Sequence, residues 1–110
     1  MFYHEPVLLK ETIEALKVEK GKKYIDATLG DGGHTIEILK RGGKVLGIEA
    51  YKKALERANE RIKKEGLEEN FTGVQGNFKN ILEIAEQNGF EKVSGILYDL
   101  GFSSYELDEA

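Results

Sequence analysis

Carboxylates and a run of glycines stand where the apolar segments of this sequence end. The stretch YIDATLGDGGHTIEIL, residues 24–39, passes from an apolar run through a glycine-rich turn into a helical pattern, with Asp26 just before the turn. Glu49 ends the apolar segment KVLGIE, and Asp99 ends the apolar segment GILYD. Glycines let a backbone approach a ligand closely, and carboxylates accept hydrogen bonds from hydroxyls or attract a cation. The pattern therefore predicts a pocket for a polar ligand.

The glycine turn matches known phosphate-binding loops only in part. Gly30 and Gly32 supply a G-x-G, but Thr35 stands where a dinucleotide fingerprint has its third glycine. No Lys-Ser or Lys-Thr pair follows the turn, although a P-loop needs one to hold phosphates and magnesium. Asp26 and Asp31 would repel a pyrophosphate but tolerate an ammonium or sulfonium charge. The turn thus indicates either a ligand without phosphate or a tight strand-to-helix connection that binds nothing.

Four other residues each have a functional and a structural interpretation. Glu49, about twenty residues beyond the turn, either accepts hydrogen bonds from both hydroxyls of a ribose or simply opens the next helix. Phe78 follows a predicted strand and either packs flat against an adenine or fills the core. A carboxylate such as Asp99 is hard to explain as core filling, which favours function. His34, at a helix start, is more commonly a capping residue than a catalytic base.

The combination of acidic side chains, glycines and missing phosphate anchors describes a pocket for S-adenosylmethionine. This cofactor has a ribose, an adenine, an amino acid and a sulfonium, but no phosphate. The Asp, Glu and His residues do not fall at familiar metal-ligand spacings, so no metal site is predicted. Two other classes stay open: a structural or interaction module whose pocket is vestigial, and a nucleotide-dependent oxidoreductase.

The elements that must position these residues alternate between strands and helices. Four apolar segments are predicted strands, namely KYIDATL, KVLGIE, FTGVQGNF and VSGILYDLGF. Four amphipathic segments are predicted helices, namely EPVLLKETIEALK, the stretch that follows the turn Gly30–Gly33 and runs to about Lys40, YKKALERANERIKKEG and KNILEIAEQNGF. In the last of these, Ile81, Leu82 and Ala85 are predicted to face inward.

This alternation predicts an α/β fold in which about four strands form a doubly wound parallel sheet with helices on both faces. Ligands of such sheets bind beyond the carboxyl ends of the strands, so the residues that follow the four strands are the predicted site.

Length and composition indicate one globular domain, residues 1–110. The chain is 40% hydrophobic and 33% charged, with one proline, which is the composition of a folded protein. The absence of cysteine excludes thiolate catalysis and fits a cytoplasmic location. No apolar run approaches the about 20 residues of a membrane span. The net charge of -4 gives no sign of the basic surface that nucleic-acid-binding modules use.

Four stretches, YHEPVLLKE, DATLGDGGHT, GNF and VSGILYDLGFSSYELDEA, closely resemble the amino-terminal part of the bacterial MraW/RsmH family. Its members are Rossmann-like class I methyltransferases that use S-adenosylmethionine to methylate N4 of a cytidine in small-subunit ribosomal RNA. The paired HxPVLL and DLGxSS signatures are far more specific than a glycine loop. The resemblance covers nearly the whole chain and implies an amino-terminal half, without the family's inserted helical domain and remaining strands.

The resemblance also implies roles for individual residues. Asp26 and Gly30 are indicated by the glycine turn itself, and together with them the set expected to bind the cofactor is Asp26, Gly30, Gly32, Gly33, His34, Glu49, Phe78, Asp99 and Glu106. Within it, the Gly32–His34 segment would line the methionine end, Glu49 would hold the ribose and Phe78 would lie near the adenine. The set expected at the reacting groups is Asp99, Ser103 and Ser104, with a serine orienting the cytosine amine. The family usually has aspartate where Glu49 stands, a second acid where Tyr51 stands and glutamine where Glu106 stands.

The predicted partner is small-subunit ribosomal RNA, contacted mostly through the family's remaining regions. The fourth predicted strand, VSGILYD, would then lack a neighbour on one side. Because bare apolar strand edges pair with other chains, a homodimer or swapped assembly through this edge is expected.

Overall fold

A computed structural model describes residues 9–98 and the backbone of residues 101–103, and it gives one sheet with helices on both faces. The helices are α1 (Leu9–Leu16), α2 (Gly33–Lys40), α3 (Lys52–Lys64) and α4 (Ile81–Gln87). The strands are β1 (Lys23–Asp26), β2 (Lys44–Glu49), β3 (Phe71–Gln75), β4 (Gly95–Tyr98) and β5 (Gly101–Ser103). Two 3-10 turns, Glu68–Asn70 and Phe78–Asn80, stand before β3 and α4.

The strands lie in the order β3-β2-β1-β4-β5, and the first four are parallel. The chain winds outward from β1 to β2 and β3, then returns through α4 to the other side of β1. This reversal beside β1 is the point at which open α/β sheets bind ligands, beyond the carboxyl ends of the strands. The prediction of a doubly wound parallel sheet is confirmed.

Two hydrophobic cores flank the sheet because successive strand residues point to opposite faces. On one face, Tyr24, Val45 and Leu97 pack with side chains of α1, α2 and α3. On the other, Ile25, Leu46, Ile48 and Ile96 pack with Ile84 and Ala85 of α4. Full burial of one such aliphatic side chain contributes about 1.5–3 kcal/mol, so these two layers fix the strand ends in place.

β5 was not predicted, and it changes the expected edge of the sheet. Its backbone pairs antiparallel with β4, with Tyr98 opposite Gly101 and Ile96 opposite Ser103. The two strands are therefore neighbours in the sheet, and β5 covers the side of β4 that faces away from β1. The expectation that β4 lacks a neighbour on one side is therefore wrong. The expected homodimer depended on that unpaired edge, so this argument for it no longer holds.

The inward prediction for Leu82 is also wrong, since this side chain is 59% exposed. Ile84 and Ala85 are the buried residues of α4, and Ile81 packs against the same core. At 3.6 residues per turn, Ile84, Ile81 and Ala85 fall within about 100° of the helix circumference, and Leu82 lies about 100° from the middle of that arc. Leu82 then falls outside the face that packs against the sheet.

A glycine within β2 gives room to two apolar neighbours. A Cβ on Gly47 would lie 2.8 Å from Cε1 of Phe71 and 2.9 Å from Cδ1 of Leu29. We expect Gly47→Ala to lower the free energy of unfolding by about 1–3 kcal/mol through overpacking, measured by urea denaturation.

Gly66→Ala is the matched control for Gly47→Ala. Gly66 has a φ of +73° and no atom within 4 Å of an added Cβ, so its cost of about 1 kcal/mol comes from the backbone conformation alone. A greater loss at Gly66 than at Gly47 would contradict the overpacking explanation.

Candidate functional site

A cavity of about 410 Å³ opens at the carboxyl ends of β1, β2 and β3. Its walls come from the ends of these strands and the segments that follow them: Ala27, Thr28, Gly30, Ile48, Glu49, Ala50, Tyr51, Gly76, Asn77 and Phe78. Small-molecule sites commonly enclose about 300–1,000 Å³, so this cavity can hold a nucleoside-sized group. Of the predicted cofactor-binding residues, the structure brings Gly30, Glu49 and Phe78 together here.

Glu49 connects two walls of the cavity through its carboxylate. The backbone N–H of Gly30 donates to Oε1 at 3.2 Å, and the backbone N–H of Tyr51 donates to Oε2 at 3.0 Å. The side chain thus joins the glycine turn after β1 to the start of α3 after β2. A carboxylate offers about four lone-pair positions, so both oxygens keep acceptor capacity for the hydroxyls of a ligand.

Two aromatic side chains lie on the cavity wall and are exposed. Phe78 is 46% exposed and packs against Tyr98, with ring centroids 6.1 Å apart and planes tilted by 39°. This exposure rules out the interpretation of Phe78 as an ordinary core residue. Tyr51 is 75% exposed and was not predicted as a site residue. The available signal was its place directly after the carboxyl end of β2.

The glycine turn has backbone conformations that explain its composition. Gly30 and Gly32 have φ angles of +48° and +84°, in the left-handed region that glycine adopts without steric cost. Gly32 precedes the first residue of α2, and its carbonyl accepts the N–H of Ile36 at 2.8 Å. Gly33 begins α2 and is buried. Neither Gly32 nor Gly33 is among the residues that line the cavity, whereas Gly30 is.

Asp26 is fully buried behind the turn and does not line the cavity. Its Oδ1 accepts the backbone N–H of Thr28 at 2.9 Å and the hydroxyl of Thr28 at 2.8 Å. Its Oδ2 accepts the hydroxyl of Thr35 at 2.7 Å. The carboxyl group therefore ties the end of β1 to the turn and to α2. Thr35, which stands where a dinucleotide fingerprint has its third glycine, is therefore a hydrogen-bond partner of Asp26.

The remaining predicted residues fall in three groups. His34 is a half-buried residue in the first turn of α2, outside the cavity wall. Ser103 belongs to β5, and its backbone pairs with that of Ile96, which lies two residues before the last residue of β4. Asp99, Ser104 and Glu106 lie outside the described residues, so their roles stay predictions.

The described part of the chain has neither a cluster of metal-ligating side chains nor a membrane-spanning helix. No group of three or more His, Cys, Asp or Glu side chains within it could hold a metal ion. None of its helices has the length and apolar character needed to cross a membrane.

The strand order, the reversal beside β1 and the cavity beyond the strand ends define a Rossmann-like domain, and a solved methyltransferase structure shares this fold. The C-terminal domain of precorrin-6Y C5,15-methyltransferase from Rhodobacter capsulatus has a similar solved structure. Its TM-score is 0.66 at 26% identity, over 69% of this chain and 41% of that one. The chain belongs to the MraW methylase family, whose sequence model matches residues 1–110.

Relatives named ribosomal RNA small subunit methyltransferase H are similar over almost the whole chain. The relative from Clostridium botulinum strain Hall is 47% identical over 112 aligned positions, which cover 99% of this chain and 35% of the relative. The relative from Carboxydothermus hydrogenoformans is 46% identical, over 97% of this chain and 34% of its own length. The chain thus spans about a third of these relatives, and the family resemblance predicted from the four sequence stretches is confirmed.

Proposed function

We propose that this chain forms the S-adenosylmethionine-binding part of a methyltransferase that acts on N4 of a cytidine in small-subunit ribosomal RNA. The observation that carries the proposal is the carboxylate of Glu49. It lies in the cavity wall, held by the N–H groups of Gly30 and Tyr51, with acceptor capacity for two ribose hydroxyls. The family and the name of its relatives supply the reaction.

The residues present fit an adenosine group without phosphate. Tyr51 and Phe78 offer exposed aromatic faces for a purine, and Gly30 lets the backbone approach the ribose. No lysine or arginine is among the described residues that line the cavity. A dinucleotide or ATP would bring phosphates into a wall with an acid and no cation. The charge of the cavity wall therefore favours S-adenosylmethionine, which has a sulfonium and no phosphate, over the nicotinamide dinucleotide that an oxidoreductase would bind.

When bound, the cofactor would supply a methyl group on a positively charged sulfur. The task of the chain is then orientation, because methyl transfer to an amine needs the reacting atoms held at about 3 Å more than it needs acid–base help. Glu49 fixes the ribose, and Asp26 fixes the turn on which Gly30 lies. We assign the methionine end to the Gly32–His34 segment and the closure of the cofactor pocket to Asp99. Glu106 is a further cofactor-binding residue of the proposal, and Ser103 or Ser104 would orient the cytosine amine.

The proposed partner is small-subunit ribosomal RNA, which the names of the relatives mention. The proposed location is the cytoplasm. Because the chain spans about a third of those relatives, we assign most of the RNA contacts to the other two-thirds. A homodimer through β4 is not part of the proposal, since β5 pairs with that edge.

Isothermal titration calorimetry tests the cofactor assignment. We expect S-adenosylmethionine and S-adenosylhomocysteine to bind, and ATP and NADH not to bind. Methyl transfer to isolated small ribosomal subunits is expected to be weak or absent with this chain alone. No heat and no competition at millimolar S-adenosylmethionine would contradict the proposal and favour an interaction module. Preferential binding of NADH would favour an oxidoreductase.

A further inference from the structure

Two arginines of α3 contact the glycine turn from outside the cavity. Nη2 of Arg57 lies 3.3 Å from Oδ1 of Asp31, and Nη1 of Arg61 donates to the backbone carbonyl of Asp31 at 3.0 Å. Residues four apart lie on one face of a helix, so both guanidinium groups reach the same residue. Asp31 is the aspartate inside the glycine run, and it is not among the residues that line the cavity.

Apolar side chains of the same helix pack directly against the turn. A Cβ on Gly32 would lie 3.7 Å from Cβ of Ala58 and 3.8 Å from Cδ1 of Ile62, and both of these side chains are fully buried. The Asp31–Gly32 segment is therefore held by polar and apolar contacts on its outer side. On its inner side, the adjacent Gly30 lines the cavity and donates its N–H to Glu49.

We propose that Arg57 and Arg61 are positioning residues for ligand binding, which hold the glycine turn in the shape that brings Gly30 to Glu49. This inference rests on the proposed function for the identity of the ligand. Asp31 then acts through its contacts with α3 and not as a charge presented to the ligand.

A glycine-rich turn that is fixed before the ligand arrives makes binding stronger. Gly30 and Gly32 can adopt more backbone conformations than other residues, and a loose turn would lose that freedom on binding. Contacts that order the turn in advance remove this cost from the binding step. An ion pair in which Arg57 is 44% exposed contributes little to overall stability, so its removal should affect affinity more than folding.

The test measures S-adenosylhomocysteine binding to the full chain by calorimetry, with thermal unfolding measured in parallel. We expect Arg57→Ala and Arg61→Ala each to weaken binding by about three- to tenfold, and Arg57→Lys to recover most of the affinity. Asp31→Ala combined with Arg57→Ala should lose less affinity than the sum of the two single losses, because both changes remove the same ion pair.

Arg41→Ala is the matched control. Arg41 is 42% exposed and pairs with Glu37 on α2, so it resembles Arg57 in exposure and in ion pairing but has no described contact with the turn. We expect its affinity to be unchanged and its melting temperature to shift as little as that of Arg57→Ala.

Wild-type affinity in both Arg57→Ala and Arg61→Ala would overturn the inference, as would an equal loss in Arg41→Ala. If Glu49→Ala loses binding while the α3 variants keep it, the positioning role falls and the proposed function stands. If the parent chain binds no S-adenosylhomocysteine at all, both fall.

Discussion

Replacement of Glu49 by alanine is expected to weaken S-adenosylmethionine binding by about 100-fold or more. Hydrogen bonds to a charged group contribute about 1.5–3 kcal/mol each, and two ribose hydroxyls would lose the same carboxylate. A total of about 3 kcal/mol corresponds to about 100-fold in the dissociation constant. The variant also leaves the N–H groups of Gly30 and Tyr51 without their acceptor, which loosens two walls of the cavity.

Calorimetry with a matched ligand pair makes this test specific for the ribose. The parent chain should prefer S-adenosylhomocysteine to its 2'-deoxy analogue, and Glu49→Ala should not distinguish the two. Glu69→Ala makes the same charge change on the exposed 3-10 turn before β3, away from the cavity, and should bind as the parent does. Affinity of Glu49→Ala within threefold of the parent would contradict the ribose assignment.

Replacement of Asp26 by alanine is expected to lower the free energy of unfolding by about 2–4 kcal/mol. The carboxyl group accepts three hydrogen bonds at a fully buried position, and its removal leaves the donors of Thr28 and Thr35 without partners. Domains of this kind have a total stability of about 5–15 kcal/mol, so the loss should be plain in urea denaturation followed by circular dichroism.

Two further variants separate hydrogen bonding from lost volume at this position. Asp26→Asn keeps one oxygen for the two Thr28 donors, and Thr35→Val removes one of the three bonds at nearly constant shape. Both should destabilise the chain less than Asp26→Ala does. If Asp26→Ala cost no more than Thr35→Val, the carboxyl group would not be the centre of this network.

Much of the fold could be predicted because its elements are local patterns. KVLGIE corresponds residue for residue to β2, and the alternation of apolar strands with amphipathic helices was sufficient to predict the doubly wound sheet. β5 could not be predicted in this way, because three residues carry no periodicity and their pairing depends on the free side of β4. Leu82 was misplaced because Ile81 and Ala85 fit a helix face with either Leu82 or Ile84, and the packing of α4 on the sheet decides between the two.

The site was predictable where position alone identifies a residue. Glu49 and Phe78 follow strand ends, and both line the cavity. Tyr51 and Asn77 line it too, and both also follow strand ends, but neither was predicted as a binding residue. The burial of Asp26 depends on two threonine hydroxyls that fold around it, and the pairing of Asp31 with Arg57 depends on how α3 packs against the turn. These contacts join residues that sequence spacing does not relate.

The central place of β1 in the sheet has a consequence for the order of folding. β1 pairs with β4, with Tyr24 opposite Gly95, and the N–H of Ala27 in the cavity wall donates to the carbonyl of Leu97 at 2.8 Å. Most of the described chain lies between these partners, and the entropy lost in closing so long a loop is recovered only when the strands meet. We expect the pairing of β1 with β4 to form only after β4 has been synthesised, so a chain that stops before β4 lacks the hydrogen bond that holds Ala27 to Leu97.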